Sequence, residues 1–517
     1  MKRTKHKKNN KNGSIFGWTF DSFIDLSLLK KSPAKGKSGT LYFFGSGYDK
    51  KNVSALIKNE VRDWELSYVR QSDQESYHLS AQKGPLWLLF PKNNNQNGKS
   101  ASEEDFFKPT PYAKARDLAG SIIPRIDSNK VENLEIIFEQ AKDEEIYGAL
   151  TGIEIGLYSF NKARAKEKNA PKSVNLYFPN TKRNLIEEAV LTGQSVNLVR
   201  HLVNVPPNEL NPATFTSTIK SFFGGKHGTT IEIWDRKRLE KEGMGLILGV
   251  GQGSENPPCL VHIRYRPAKT SKGIKKPYAF VGKGITFDTG GLNIKPSTSM
   301  KLMKKDMGGS ATLLGLLYWL IETKSQIPVD IYLPLAENSV DKNAIRPSDI
   351  LTSRSGQSVE IQNTDAEGRL LLADAIDVAI KQKGDDEPSA IIDIATLTGA
   401  ARVALGIEIA NLFTNNDKLC DRMLKAGRKM GDFAWRMPLY QPYAAHLKSS
   451  VADIGNSGSS PYAGAITAAL FLHKFIQDKP WAHFDIMAWS ESPAGAINEA
   501  GANGQIVQLI IEFIKSL

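Results

Sequence analysis

The chain has 517 residues, of which 41% are hydrophobic and 24% are charged, a composition typical of a globular protein with room for two or more domains. No apolar run approaches the roughly 20 residues that a helix needs to cross a membrane, so we expect no membrane association. The two cysteines, Cys259 and Cys420, exclude a disulfide framework and a thiolate metal cluster, and they fit a reducing cytoplasm.

Residues 1–13 are a short basic segment that we expect to be disordered. They supply half of the net charge of +12, through Lys2, Arg3, Lys5, Lys7, Lys8 and Lys11. The segment continues into polar residues rather than an apolar stretch, which argues against a secretory signal and for a cytoplasmic location. A solubilising extension explains the charge, and contact with nucleic acid is an alternative that basic tails support only weakly.

Residues 14–190 are expected to form a smaller, N-terminal α/β domain. Three apolar runs predict strands, at 40–45, 85–90 and 173–178. The pattern of 131–144 predicts a helix, and a second, long helix is predicted over 181–204, where a segment rich in proline and asparagine ends it. The region contains no recognisable catalytic constellation.

Residues 191–517 are expected to form a larger, C-terminal domain. Five β-type runs predict its strands, at 229–235, 259–265, 277–282, 329–335 and 390–395. Helical patterns at 307–323 and 368–382 separate several of them. This alternation predicts an α/β fold with a mostly parallel central sheet covered by helices. In such folds, functional groups gather in loops beyond the carboxyl ends of the strands.

One such loop precedes the helix at 368–382 and contains Asp365, Glu367 and Arg369. A carboxylate at a helix start commonly offsets the helix dipole, and this would explain either acid alone. However, residues two apart lie on the same side of an extended segment but on different sides of a helix. The alternating run before the loop predicts a strand, so strand, loop and helix follow in that order, and both carboxylates converge in the loop.

A second loop, after the strand at 277–282, supplies partners for these carboxylates. It contains Lys283, Asp288, Lys295 and Asp306 among several glycines. Converging carboxylates repel one another unless protons or a cation neutralise them. None of the eight histidines lies in either loop, and such an oxygen-rich set suits Mn²⁺, Mg²⁺ or Zn²⁺. Four carboxylates are typical of two ions about 3.5–4 Å apart that share oxygens.

At these residues the chain resembles the leucyl (cytosol) aminopeptidase family of dinuclear metallopeptidases. The motifs that carry the resemblance are VGKGITFDTGG, KKDMGG and NTDAEGRL, and it continues through DIATLTGA, WRMPLY, VADIGN, GAITAALFL and WAHFDI. It covers about residues 195 to 517. The resemblance implies an enzyme that removes N-terminal residues, leucine and other hydrophobic residues in particular, from short peptides.

The resemblance also implies roles for the loop residues. Lys283, Asp288, Asp306 and Glu367 would hold one divalent ion, and Asp288, Glu367 and Asp365 would hold a second. Water activated by both ions would attack the peptide carbonyl, while protonated Lys295 stabilises the oxyanion and Arg369 holds a bicarbonate. The positions at the substrate would be Met303, Asn363, Thr396, Leu397 and Gly399. A homohexamer is implied as well.

Two alternatives from other classes remain at this point. A DNA-binding regulator built on the same scaffold would use the basic charge, although the intact ligand set favours catalysis. A two-metal phosphohydrolase would be expected to use histidine ligands, which these loops lack. One departure from the family pattern, DIMAWSES at 485–492, replaces small residues and leaves the side-chain preference open.

Overall fold

The computed structural model describes residues 15–16, 37–92, 106–129, 131–160, 175–178 and 181–517. The basic segment 1–13 lies outside these ranges. The described residues form two large β-sheets, of five and nine strands, which pack against helices, and two small sheets of three and two strands. This confirms the predicted α/β fold class with a smaller sheet before a larger one.

The N-terminal sheet is mixed. Its five strands are β1 (Ser38–Phe44), β2 (Ser76–Ala81), β3 (Gly84–Leu89), β4 (Asn133–Glu139) and β5 (Asn175–Tyr177). They lie in the order β2-β3-β1-β4-β5, and all neighbours are parallel except β2 and β3. The three strands predicted in this region are therefore confirmed as β1, β3 and β5.

The predicted helix over 131–144 is wrong. The segment forms β4 and then a loop, and the next helix starts at Asp143. Leu134 and Ile136 are buried, whereas Glu135 and Ile137 between and after them are partly exposed. This two-residue period is that of a strand, and pairing with β1 and β5 on either side fixes it.

Six helices accompany the N-terminal sheet among the described residues: α1 (Val53–Ile57), α2 (Asp63–Gln71), α3 (Pro111–Ser121), α4 (Ile123–Ser128), α5 (Asp143–Gly156) and α6 (Arg183–Asn204). The long helix α6 runs across the predicted boundary at 190/191 without a break. Its first turns pack Ile186 and Val190 into the N-terminal core, and its later turns pack Leu198 and Leu202 into the C-terminal core. The boundary itself stays a prediction.

The buried guanidinium of Arg200, on α6, bonds to both parts of the chain. Its Nη1 donates to the carbonyl oxygen of Ile155 at 2.8 Å, and its Nε donates to that of Ala502 at 3.1 Å. A buried cation requires such hydrogen bonds because it has lost its hydration. Arg200 thus fixes α6 between α5 and the C-terminal segment.

The C-terminal part contains fourteen described strands: β6 (Thr229–Trp234), β7 (Cys259–Tyr265), β8 (Tyr278–Gly282), β9 (Gly284–Asp288), β10 (Val329–Asn338), β11 (Ile350–Thr352), β12 (Ser358–Glu360), β13 (Ile391–Ala395), β14 (Ala410–Thr414), β15 (Ala434–Arg436), β16 (Ile454–Gly455), β17 (Trp481–Asp485), β18 (Trp489–Ser490) and β19 (Gly501–Ala502). The large sheet has the order β15-β14-β17-β13-β8-β10-β7-β6, with β9 also beside β10. At its centre β17, β13, β8 and β10 are parallel, which confirms the predicted sheet and its strands.

Helices cover both faces of this sheet: α7 (Pro212–Phe223), α8 (Arg236–Lys241), α9 (Gly245–Gly251), α10 (Ser297–Met300), α11 (Gly308–Glu322), α12 (Gly368–Ile380), α13 (Gly399–Leu405), α14 (Asp417–Met430), α15 (Gly464–Ile476) and α16 (Val507–Lys515). In β8, Phe280 packs into the core that holds α11, while Ala279 and Val281 pack into the core that holds α12. Burial on both faces explains why the central strands are mostly apolar. Of the helices described, none is long and apolar enough to span a membrane.

Candidate metal centre

The predicted site residues meet at the carboxyl ends of the central parallel strands. Lys283 directly follows β8, Asp288 ends β9, and Thr396 directly follows β13. From the other side, β12 leads through a loop that carries Asp365 and Glu367 into α12, which is the order of strand, loop and helix predicted from the sequence. Crossover connections in a parallel sheet bring such loops to one edge.

Lys283 is buried between two carboxylates. Its Nζ lies 2.8 Å from Asp306 Oδ2 and 2.8 Å from Glu367 Oε1, and it donates to the carbonyl oxygen of Thr396 at 3.1 Å. Burial disfavours the ammonium, but Asp306 and Glu367 outweigh this effect and raise the pKa of Lys283. Both carboxylates are thereby fixed to one atom at the end of β8.

Lys295 connects the other two carboxylates. Its Nζ lies 2.7 Å from Asp288 Oδ2 and also pairs with Asp365. The side chain is 14% exposed, and burial opposes its charge, but the surrounding carboxylates outweigh burial and raise the pKa of Lys295. The two lysines therefore bind different pairs of carboxylates, Lys283 deep in the site and Lys295 nearer its opening.

The carboxylates are close enough to share a cation. Asp288, Asp365 and Glu367 each offer an oxygen, and these oxygens lie within 4.8 Å of one another. Burial, followed by Glu367 and Asp306, raises the pKa of Asp288 to about 8. Burial is likewise the main cause that raises the pKa of Asp306 and of Asp365. Carboxylates that resist ionisation because they are buried beside one another fit a divalent cation, which supplies the opposite charge.

Two asparagines that the sequence analysis did not single out hold the loops in place. Asn338, the last residue of β10, donates to Asp288 Oδ1 at 2.8 Å and to the carbonyl oxygen of Thr364 at 3.1 Å. Asn456 donates to the carbonyl oxygen of Asn363 at 2.7 Å and accepts from the backbone N–H of Gln362. The Asn338 amide thus cross-links the two ligand loops, and the Asn456 amide ties the loop of Asp365 to the end of β16. The motif VADIGN, which ends at Asn456, is the sequence signal from which Asn456 could have been identified.

Two glycines let backbone approach the lysines and carboxylates closely. A Cβ at Gly368, the first residue of α12, would lie 2.5 Å from Lys283 Cε and 2.7 Å from its Nζ. Gly290 has a φ of +85°, which side chains other than glycine rarely adopt, and a Cβ there would lie 3.0 Å from Asp365 Oδ1. The cluster of lysines and carboxylates therefore leaves little room for a side chain at Gly368 or Gly290.

The carboxylates open onto a cavity of about 430 Å³. The predicted substrate residues that line it are Met303, Thr396, Leu397 and Gly399. Asn363 and Arg369 are not among its lining residues. Asn363 lies within the loop of Asp365, where its Oδ1 accepts from the backbone N–H of Asp365 at 2.8 Å.

Arg369 lies at the start of α12, with its guanidinium buried. Burial lowers the pKa of Arg369 to about 10, although Glu367 and Asp485 act in the opposite direction. Its Nε has no hydrogen-bond partner among the described residues. A buried guanidinium with unused N–H groups is suited to a small anion.

The cavity also has walls that the sequence analysis did not predict. Lys305, Asp485 and Met487 line it in addition to the residues above. Asp485 accepts hydrogen bonds from the backbone N–H of Leu397 at 2.9 Å and from Thr398 Oγ1 at 2.6 Å, and so it fixes the loop after β13. Burial lowers the pKa of Lys305 to about 8.

Comparison with known proteins assigns this arrangement to one sequence family. Residues 197–511 match the catalytic domain of the cytosol aminopeptidase family. The probable cytosol aminopeptidase of Bradyrhizobium sp. is 44% identical over 368 residues, which are 69% of this chain and 72% of that protein. The corresponding protein of Rhodopseudomonas palustris is 41% identical over 433 residues, 81% of this chain and 83% of its own.

Solved structures are similar over almost the whole chain. The crystal structure of the cytosol aminopeptidase from Coxiella burnetii has a TM-score of 0.76 and 30% identity, and the match covers 94% of this chain and 98% of that one. The bottromycin maturation enzyme BotP in complex with Mn has a TM-score of 0.79 and 27% identity over 93% of this chain and 99% of its own. The similarity therefore includes the N-terminal sheet as well as the site.

Proposed function

This chain belongs to the cytosol aminopeptidase family of metallo-exopeptidases, and from that premise we propose that the cavity beside Asp288, Asp365 and Glu367 is its active site. The enzyme removes residues from the N-terminus of peptides. The observation that carries the assignment of the site is the convergence of the oxygens of these three carboxylates within 4.8 Å. Short peptides are the substrates that a cavity of about 430 Å³ can admit at one end.

The proposed cofactors are two divalent ions, manganese or zinc. Lys283, Asp288, Asp306 and Glu367 would hold one ion, and Asp288, Glu367 and Asp365 would hold the other. When bound, such ions supply Lewis-acid chemistry, which polarises a peptide carbonyl and acidifies water. The raised pKa of Asp288 supports this arrangement because a carboxylate that is buried, and that also lies beside other carboxylates, favours a nearby cation.

We assign catalytic roles to two cations of the chain. Lys295 keeps its proton beside Asp288 and Asp365, and it would offset the negative charge that develops on the carbonyl oxygen during attack. The buried guanidinium of Arg369 fits a small anion, and bicarbonate is the anion proposed there. Met303, Thr396, Leu397 and Gly399 would form the pocket for the N-terminal side chain, and Met303 and Leu397 support a preference for leucine and other hydrophobic residues.

Acetylation of the substrate's amino group is expected to abolish hydrolysis. The free α-amine of the substrate would ligate one of the proposed divalent ions, whereas an acetyl group delocalises the lone pair of that nitrogen and adds bulk. Release of the fluorophore from leucyl-aminomethylcoumarin should therefore be rapid, whereas its N-acetyl derivative should be cleaved at less than about 1% of that rate. Equal rates for the two substrates would exclude an aminopeptidase site.

A methyl group added at Gly368 is expected to impair the site without contacting substrate. In Gly368→Ala the new Cβ would overlap the Lys283 side chain, which must then shift away from Asp306 and Glu367. We expect kcat to fall by about tenfold to a hundredfold because small displacements of catalytic groups have effects of this size. Gly47→Ala is the control, since a Cβ there meets nothing within 4 Å. Circular dichroism should show both variants folded, and unchanged kcat in Gly368→Ala would contradict the proposed geometry.

A homohexamer in the cytoplasm completes the proposal. The hexamer is supported by the family resemblance, and light scattering that gives the mass of a monomer would count against it. The names of the related cytosol aminopeptidases support the cytoplasmic location. The alternative of a DNA-binding regulator receives no support from the family match or from the similar proteins.

A further inference from the structure

A buried lysine in the wall of the cavity has no role in the mechanism above. Lys305 is 6% exposed, lies next to Asp306 in the chain and lines the same cavity as Met303 and Thr396. Its Nζ makes no hydrogen bond or ion pair with the residues that the structure describes. The other two lysines of the site, Lys283 and Lys295, each pair with two carboxylates.

The carboxylates near Lys305 already have other partners. Asp306 pairs with Lys283 and accepts from Thr396 Oγ1 at 2.7 Å. Asp485 accepts from the backbone N–H groups of Leu397 and Thr398 and from the Thr398 hydroxyl. A buried ammonium without a counter-ion is costly, and proteins usually retain one only where a ligand or a reaction uses it. The missing partner of Lys305 is therefore to be sought in the cavity.

We infer that Lys305 gives this active site a subsite for an acidic N-terminal residue, so that peptides starting with glutamate or aspartate are substrates. The inference rests on the proposed function, because it assigns Lys305 to the pocket for the N-terminal side chain. Met303 and Met487 would pack against the methylene groups of the side chain, and the carboxylate would pair with Lys305. Leucine can still enter by the same apolar walls.

The charges around the opening are mixed. Arg402 and Glu491 both line the cavity, and both are exposed, so solvent screens their effect on a bound side chain. The buried charges differ from them because they act at low dielectric. Of the other buried charges in the cavity wall, Asp485 is bound by the backbone N–H groups of Leu397 and Thr398 and by the Thr398 hydroxyl. Lys283 and Lys295 are each paired with two carboxylates. Among the described residues of the wall, Lys305 is therefore the buried charge left to distinguish a glutamate side chain from a glutamine side chain of the same shape.

The test compares these two isosteric substrates. The values of kcat/KM are measured for aminomethylcoumarin amides of glutamate, glutamine and leucine, with the full chain loaded with Mn²⁺. We expect the wild type to prefer glutamate over glutamine by about 10- to 100-fold, the range typical of a charged group bound by a buried partner. In Lys305→Met the ratio should fall to about one or below, while the value for leucine stays within about threefold. Lys301→Met, which removes an exposed lysine of the same segment, should change none of the three values.

Two results would overturn the inference: a wild-type ratio of one, or the same ratio in the wild type and Lys305→Met. If Lys305→Met fails to fold, the glutamate-to-glutamine ratio is measured on Lys305→Gln instead, which removes the charge but keeps a polar side chain. If no amide is cleaved, the proposed function fails instead. Calorimetric titration then still tests the subsite, because free glutamate must bind the wild type more tightly than Lys305→Met, and equal affinities would refute it.

Discussion

Lys295→Ala is expected to lower kcat for leucyl amides by about 10²–10³-fold, the loss typical of removing one group that stabilises an oxyanion. The variant should keep its metal content. Lys295 pairs with Asp288 and Asp365 through an ammonium, which cannot be a ligand, so its removal leaves the oxygens of both carboxylates available to metal. Elemental analysis and kcat measured on the same sample separate the two effects.

Lys301→Ala is the matched control for this substitution, because Lys301 is an exposed lysine six residues further along the same segment. It should retain wild-type kcat. If Lys295→Ala loses an ion together with its activity, Lys295 acts on the metal-binding groups rather than on the transition state. Unchanged kcat would exclude it from catalysis.

Lys283→Arg is expected to cost the enzyme at least one of its two ions and nearly all of its activity. Lys283 can ligate a metal only as a neutral amine, whereas a guanidinium keeps its charge under all conditions relevant here. The space around residue 283 is also too small for arginine. Lys283 already packs against Gly368, and a Cβ at Gly368 would lie 2.5 Å from the Lys283 side chain. Inductively coupled plasma spectrometry gives the number of ions per chain directly.

The outcome that would reverse these assignments is specific. If Lys283→Arg keeps both ions while Lys295→Ala loses one, then Lys295 is the ligand and Lys283 is the electrostatic group. A melting temperature close to that of the wild type is needed for both variants, since Lys283 is buried and its replacement could also unfold the chain.

The central strands and the convergence of the two loops of the proposed metal site could be predicted because their signals are local. Apolar runs such as that of β8 are buried on both faces, and Asp365 and Glu367 stand in a short motif next to a helix start. The pattern of 131–144 predicts a helix wrongly because Val131, Leu134, Phe138 and Ala141 recur at intervals of three or four residues, although the segment forms a strand. The pairing of β4 with β1, about 95 residues away, decides the outcome.

The supporting residues of the site could not be predicted for a related reason. Asn338 is a single polar residue at the end of a strand, and its partner Asp288 lies 50 residues earlier in the chain. Lys305 lies in a run of two lysines that reads as a solvated surface, and only the fold shows that one of them, Lys304, reaches Asn204 while the other turns to the cavity. Such roles depend on three-dimensional proximity, which the sequence does not encode locally.

The helix α6 has a consequence for how the protein loses its structure. Because Ile186 and Val190 belong to one core and Leu198 and Leu202 to the other, neither sheet can keep its packing once this helix melts. Arg200 adds to this coupling, since it would lose hydrogen bonds to both parts at once. The two parts are therefore expected to denature in one cooperative transition. Truncation of the chain at residue 190 would cut through a helix that belongs to both hydrophobic cores, so it would not separate two independent folding units.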